Sequence, residues 1–431
     1  MFMIFTLLLF VMICVFLLRK WALAFVGVSI LFCLNPLSEI YFSTPISQVF
    51  GVVYAIDIVI VSLFIFTLSW LYNKNNYIDK SMFILIWVYL LFFAVGFLKG
   101  VVLYGHPAAG MSRNYGALTP FFFLTVYGLN KNNKIDSIFV IKLIIYIGLF
   151  SIVIVSFKYF QNIVLDVAEP HRAFGNVNGL TMAFGLIAIG VAKLKNINIS
   201  KRIDKYGSLF AFFLSVGVIV SAIRSVWLGL FLCFILFIPF MSPKIILRLI
   251  PSIFSAVTIL LMFLMFFQNI PIVAQIQMNV SERFDGILRP EEESSASFRL
   301  FAWAIYLERF YNNPIMGEGI GNRVEFIDNE LLDSSIKSAE AHNQYVMTLA
   351  QRGLLGTLPL IAIFPLVYIK MRKIQKLKTI DDADKLLLIT SFLCIFCTGI
   401  WLFFSTDNSF LWIMLGIFVW VHNRILLRRK V

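Results

Sequence analysis

Charge is scarce in this chain. Only 14% of its 431 residues are Asp, Glu, Lys or Arg, against 60% hydrophobic, a balance outside the range of water-soluble domains. Cysteine is also scarce: Cys14, Cys33, Cys233, Cys394 and Cys397 all lie inside apolar runs with no pairing pattern, so neither disulfides nor a structural metal are expected. There are four histidines, and in the loops opposite the lysine-rich ones the acidic cluster is the run Glu291, Glu292 and Glu293. That run is the one feature that argues for a metal; no cofactor is expected. Basic residues are plentiful, giving a formal net charge of +13, but they form no patch interleaved with aromatics, which argues against a nucleic-acid partner.

What is abundant is the long apolar run. A helix needs about 20 residues to cross the hydrocarbon core, and runs near that size recur at 2–18, 20–35, 48–72, 82–98, 115–129, 137–158, 177–193, 207–222, 225–241, 245–268, 343–369, 386–404 and 409–423. This predicts an all-α polytopic membrane helix bundle of 12 or 13 spans, since strands of a barrel would read as short alternating segments. The run 2–18 has no basic residue before it and no small-residue cleavage site after it, so it reads as a retained helix rather than a signal peptide. Three regions follow: N-terminal spans over 1–268, one long loop with short helices over 269–342, and C-terminal spans over 343–431.

Alternating the loops places 24 of the 36 basic residues, 17 of them lysine, on one side, which the positive-inside rule assigns to the cytoplasm. The chain is thus expected in a bacterial inner membrane with the loop 269–342 in the periplasm. On that outer side arginine replaces lysine: Arg113, Arg172, Arg224, Arg283, Arg289, Arg299, Arg309, Arg323 and Arg352 against Lys99, Lys158 and Lys337. Topology does not require that exchange. A guanidinium offers a planar fork of donors and is weakly hydrated, so it suits a partly desolvated phosphate; the plainer reading pairs these arginines with loop carboxylates.

Three outer clusters concentrate polar groups where a helix meets the interface. In His171–Gly179, Arg172, Asn176 and Asn178 precede an apolar run, as helix caps or as an anion site. In Ser221–Gly229, Arg224 sits between two apolar runs, where it either faces an anionic partner or snorkels to lipid phosphate. The third cluster spans the end of the long loop: Arg299 and Trp303, four apart and so on one helix face, the turn Pro314–Gly321, and His342 with Asn343 opening the next span. Histidine titrates near neutrality and can take a proton from a sugar hydroxyl; the alternative is a satisfied interfacial histidine. Gly317–Gly321 lacks the strand and the Gly-Lys-Ser/Thr of a phosphate loop and reads as a flexible turn. Asp407, between the last two spans, either orients a base or caps a helix.

These motifs, in this order, resemble the bacterial O-antigen ligase and polymerase superfamily. The resemblance rests on Arg172 with Gly175, Asn176 and Asn178; Arg224 with Trp227; Arg299 with Trp303; Pro314, Gly317 and Gly319; and His342-Asn343 followed by Gly353 and Gly356. It covers about the last 260 residues. It implies a GT-C-like bundle that transfers a glycan from undecaprenyl diphosphate without metal and with inversion. The implied catalytic residues are His342 as base, Arg224 and Arg299 on the pyrophosphate, and Asp407 in support. Arg172, Asn176, Asn178, Trp303 and Asn343 are the implied substrate-binding residues. The implied partners are the undecaprenyl-diphosphate-linked glycan, membrane lipid, and either the lipid A core of a ligase or the lipid-linked glycan acceptor of a polymerase. A transporter is the competing class, but transporters usually carry internal repeats and matched broken helices, and neither is found in the two halves of this sequence.

Overall fold

The computed structural model describes residues 45–47, 53–54, 79–105, 122, 125–126, 129–130, 135–164, 176–221, 223–241, 243–244, 247, 294–321, 341–377, 380–405 and 409–428. Apart from a short antiparallel pair, β1 (Pro45–Ser47) with β2 (Val53–Tyr54), the described elements are helical, and the protein is an all-α polytopic membrane bundle. Among the described residues six helices are long and apolar enough to span a bilayer. They lie in α1 (Lys80–Tyr104), α2 (Ser137–Val164), α4 (Lys201–Val220), α7 (Gln344–Gln375), α8 (Asp382–Trp401) and α9 (Ser409–Leu427). The remaining helices are α3 (Asn176–Lys195), α5 (Arg224–Phe237) and α6 (Ser294–Asn312). The expected spans 2–18 and 20–35, and nearly all of 48–72, 115–129 and 245–268, lie outside the described residues.

The chain forms two compact units, one of residues 1–139 with 298–431, the other of residues 140–297. In the first, α1 packs on α7, α7 on α8 and α8 on α9. Helices α8 and α9 are buried along most of their length, whereas α1 leaves Ile84, Leu91, Leu98 and Val102 exposed. Such a face is stable in lipid, where apolar surface has no water to avoid. The lysine- and arginine-rich helix ends are tied by ion pairs. Asp79 caps α1 through Ser81 N at 3.0 Å and Met82 N at 3.3 Å, and takes Lys370 Nζ of α7 at 2.5 Å. Burial works against ionisation of Asp79, but hydrogen bonds from Lys370 and Ser81 and the lysine charge outweigh it, holding the carboxyl at about 2. Asp384, fully buried in α8, is held by Arg428 Nη1 at 2.8 Å, Arg424 Nε at 3.4 Å and Ser137 Oγ.

Helix α7 is continuous only in its sequence pattern. Gly353 has φ 63° and ψ −163°, so the regular i to i−4 bonds stop there and free backbone groups that lipid cannot satisfy. The segment Asn313–Gly321 fills the break. Glu318 N donates to Ala350 O at 2.8 Å and Gly319 N to Gln351 O at 3.0 Å, while Leu354 N donates to Pro314 O at 2.8 Å and Leu355 N to Ile315 O at 3.2 Å. Such contact requires glycine: at Gly317 (φ +66°) an added Cβ would lie 2.3 Å from Arg352 N, and at Gly353 it would lie 2.3 Å from Ile315 O. The turn also binds α1, with Ile320 N on Gly96 O at 2.9 Å and Lys99 Nζ on Gly317 O at 2.6 Å. The flexible turn expected at Gly317–Gly321 is instead a fixed brace across a broken helix.

In the second unit α3 packs on α4 and both contact α5. Small residues let the helices approach closely. A Cβ on Gly217 would meet Met182 Sδ at 2.5 Å and one on Gly148 would meet Thr181 O at 2.9 Å. The Ser151 and Thr181 hydroxyls hydrogen-bond across α2 and α3 at 2.7 Å.

Candidate functional site

Each unit brings some of the sequence candidates together. In the second unit the starts of α3 and α5 meet. A Cβ on Gly179 would touch Ile223 Cδ1 at 2.6 Å and Ser221 Oγ at 3.1 Å, so Gly179 lies against Ser221 and Ile223, the residues just before Arg224. Arg224 is the first residue of α5, half-buried, with no side-chain cap before it. Trp227 Nε1 donates to Val218 O at 2.9 Å, which folds the first turn of α5 back onto the last turn of α4 and fixes where Arg224 begins. Asn178, one turn into α3, is fully buried, and neither its amide nitrogen nor its oxygen has a hydrogen-bond partner. It therefore caps nothing; a buried amide left open costs roughly 1–3 kcal/mol, a cost a ligand hydroxyl or phosphate oxygen would remove.

In the first unit α6 packs on the segment that carries His342. Trp303, Ile305 and Tyr306 of α6 meet Ala341, Val346, Met347 and Ala350, and Trp303 Nε1 donates to Ala341 O at 2.6 Å. Arg299 stands one turn before Trp303 and is half-buried. His342 is exposed and has φ +45°, a left-handed conformation uncommon for a non-glycine residue. Asn343, 1% exposed, is the N-cap of α7, its Oδ1 accepting from Tyr345 N at 3.0 Å and Val346 N at 3.1 Å. Gln344 N donates to Leu402 O at 2.9 Å and Ser405 O at 3.1 Å, anchoring the same turn to the end of α8. The helix thus starts after the histidine, and the imidazole is carried on a rigid, solvent-facing corner.

The sequence candidates divide accordingly. His342, Arg299, Trp303 and Asn343 lie in the first unit, Arg224 and Asn178 in the second. Asn176 opens α3 with its side chain outside the described residues, and Arg172 and Asp407 lie outside them altogether. The side-chain oxygen of Asn343 and the indole N–H of Trp303, both expected at the substrate, are engaged with the frame around His342. Among the described residues no group of three His, Cys, Asp or Glu side chains is placed to hold a metal.

Sequence reasoning missed one residue. Arg352, counted above among the outer arginines, is 2% exposed; its guanidinium lies 5.1 Å from the Tyr89 ring and 5.0 Å from the Phe93 ring, and Nε and Nη1 have no hydrogen-bond acceptor. The signal was Gln351-Arg352-Gly353, a polar interruption inside an otherwise apolar run.

Comparison with known proteins bears on these same residues. The O-antigen ligase family model matches residues 209–361. The match bears out the resemblance to the O-antigen ligase and polymerase superfamily that the motifs carry. It runs from within α4 into α7, so the O-antigen ligase segment contains Arg224, Arg299, Trp303, the Pro314–Gly321 brace, His342, Arg352 and Gly353. Asn178, Arg172 and Asp407 fall outside it. No curated protein matches the chain.

Proposed function

We propose that this protein is an O-antigen ligase-type glycosyltransferase, moving a glycan from undecaprenyl diphosphate to a lipid A-core or similar sugar acceptor at the periplasmic face of the inner membrane. The observation that carries the reading is His342: exposed, held on a rigid corner, beside the helix of Arg299 and inside the O-antigen ligase match. The imidazole takes the proton of the acceptor hydroxyl, the oxygen attacks the anomeric carbon, and the bond from that carbon to the diphosphate breaks with its electrons leaving on the diphosphate. A single displacement inverts the anomeric centre. Arg224 and Arg299 stabilise the leaving diphosphate, a role whose loss typically costs about a hundredfold or more per donor. Asp407 supports the site, and Arg172, Asn176 and Asn178 hold the donor.

The test is transfer from undecaprenyl-diphosphate glycan by purified variants. His342→Ala is expected to abolish transfer while remaining folded in the membrane. Arg224→Lys keeps the charge but loses the fork, and its activity is expected to fall severely; near-normal activity would reduce Arg224 to a lipid-facing snorkel. EDTA is expected to leave wild-type transfer unchanged, and loss on chelation would overturn the metal-free mechanism. A polymerase joining lipid-linked repeats is the second reading in the same family. Deleting the protein distinguishes them on a gel of surface polysaccharide: loss of all long glycan with lipid-linked polymer accumulating means ligase, whereas a core bearing a single repeat means polymerase.

A further inference from the structure

A left-handed residue without glycine persists only where its surroundings over-determine it, and the surroundings of His342 can be named. On its C-terminal side the Asn343 cap and the bonds from Gln344 N to Leu402 O and Ser405 O fix the first turn of α7. On its N-terminal side the anchor is Trp303, whose Nε1 reaches Ala341 O at 2.6 Å. Ala341 is fully buried, so its carbonyl needs a donor. An indole has one N–H and no acceptor, so the only polar group of Trp303 is committed to that carbonyl, and its ring packs on Tyr306, Ala341, Met347 and Ala350.

We propose that Trp303 is a positioning residue: its N–H holds the Ala341 carbonyl and so keeps His342 at positive φ, where the imidazole is presented to the acceptor hydroxyl. Without that bond the peptide between Ala341 and His342 can rotate, His342 relaxes toward negative φ, and the ring moves away from its working place. The proposal rests on the role of His342 given above, and it removes Trp303 from the substrate-binding set that the motifs suggest.

The experiment uses the purified full chain and the transfer assay with undecaprenyl-diphosphate glycan. Trp303→Phe keeps an aromatic ring on the cluster and removes the donor. Its kcat is expected to fall about ten- to a hundredfold, the scale of a misplacement near an ångström, with KM for the glycan donor within about twofold. A chain carrying benzothienylalanine at position 303, which replaces only the N–H by sulfur, is expected to behave the same way and guards against a phenylalanine variant that fails to fold. Wild-type kcat in the benzothienyl protein overturns the proposal, as does a raised KM with kcat intact, because that places the indole on the substrate. Failure of the underlying reading looks different: there His342→Ala itself retains transfer, whatever Trp303 does.

Discussion

Gly100 offers a sharp test of the brace that closes the broken helix. It lies inside α1 with ordinary helical neighbours, and a Cβ there would sit 1.7 Å from Ile320 O and 2.7 Å from Ile320 C. Considered as a helix residue alone, alanine should improve it, since glycine in a helix interior costs about 1 kcal/mol relative to alanine. The contact decides otherwise. The obstacle is backbone, so Gly100→Ala must push the turn away by more than an ångström, at about 1–3 kcal/mol for overpacking. It also breaks the bond from Ile320 N to Gly96 O, now 2.9 Å, leaving buried groups open at roughly 1–3 kcal/mol. The net expectation is a loss of about 1–5 kcal/mol, read as a lower melting temperature of the purified protein in detergent. Gly190 in α3 is the control: nothing lies within 4 Å of its Cβ position, so Gly190→Ala should be neutral or stabilising by up to about 1 kcal/mol. A Gly100→Ala protein that melts at or above wild type would refute the packing argument, all the more if the two variants cannot be told apart.

Two further outcomes are expected. Asp79 is held at about 2, below the ordinary range of an aspartate carboxyl, so its ionised pair with Lys370 favours the folded state above that ordinary range and the contribution is lost as pH falls from there through about 2. Melting curves should show this acid limb in the wild type and a flatter one in Asp79→Asn; identical limbs would place the acid sensitivity elsewhere. For Arg352, replacing a buried unpaired cation with an apolar side chain of similar length should be neutral or stabilising. Arg352→Met is therefore expected to melt at or above wild type and Arg352→Lys below it, because lysine keeps the charge without the flat group that stacks on Tyr89 and Phe93.

Much of the architecture is legible because lipid imposes few choices. Runs such as 82–98, 137–158 and 386–404 had no alternative to helix, and the structure has helices there. Asn343, which the motifs imply at the substrate, is the N-cap of α7 in the structure; both roles use the same side-chain oxygen, so the sequence alone does not separate them. What hydropathy could not reveal is the interruption of α7. Gln351, Arg352 and Gly353 are too few to break an apolar window, and the brace that meets them comes from a loop tens of residues away, so only tertiary contact makes the glycines of 317–321 and 353 intelligible. Likewise the left-handed φ of His342 has no local sequence signature, since it is imposed by Trp303 and by the end of α8.

The stacked guanidinium of Arg352 bears on how the protein is assembled. An arginine cannot shed its charge in lipid, and one within a spanning helix costs up to about 3 kcal/mol on insertion scales. The two rings that shield it, Tyr89 and Phe93, belong to α1, which leaves the ribosome some 250 residues before α7. By the time α7 reaches the bilayer its shield is already there. The early helix therefore serves as a template, letting the late one enter the membrane with its charge covered and its break ready to be closed by the turn at 313–321. A chain lacking α1 should insert α7 less readily, with its charge uncovered, even though every residue of the O-antigen ligase segment is still present.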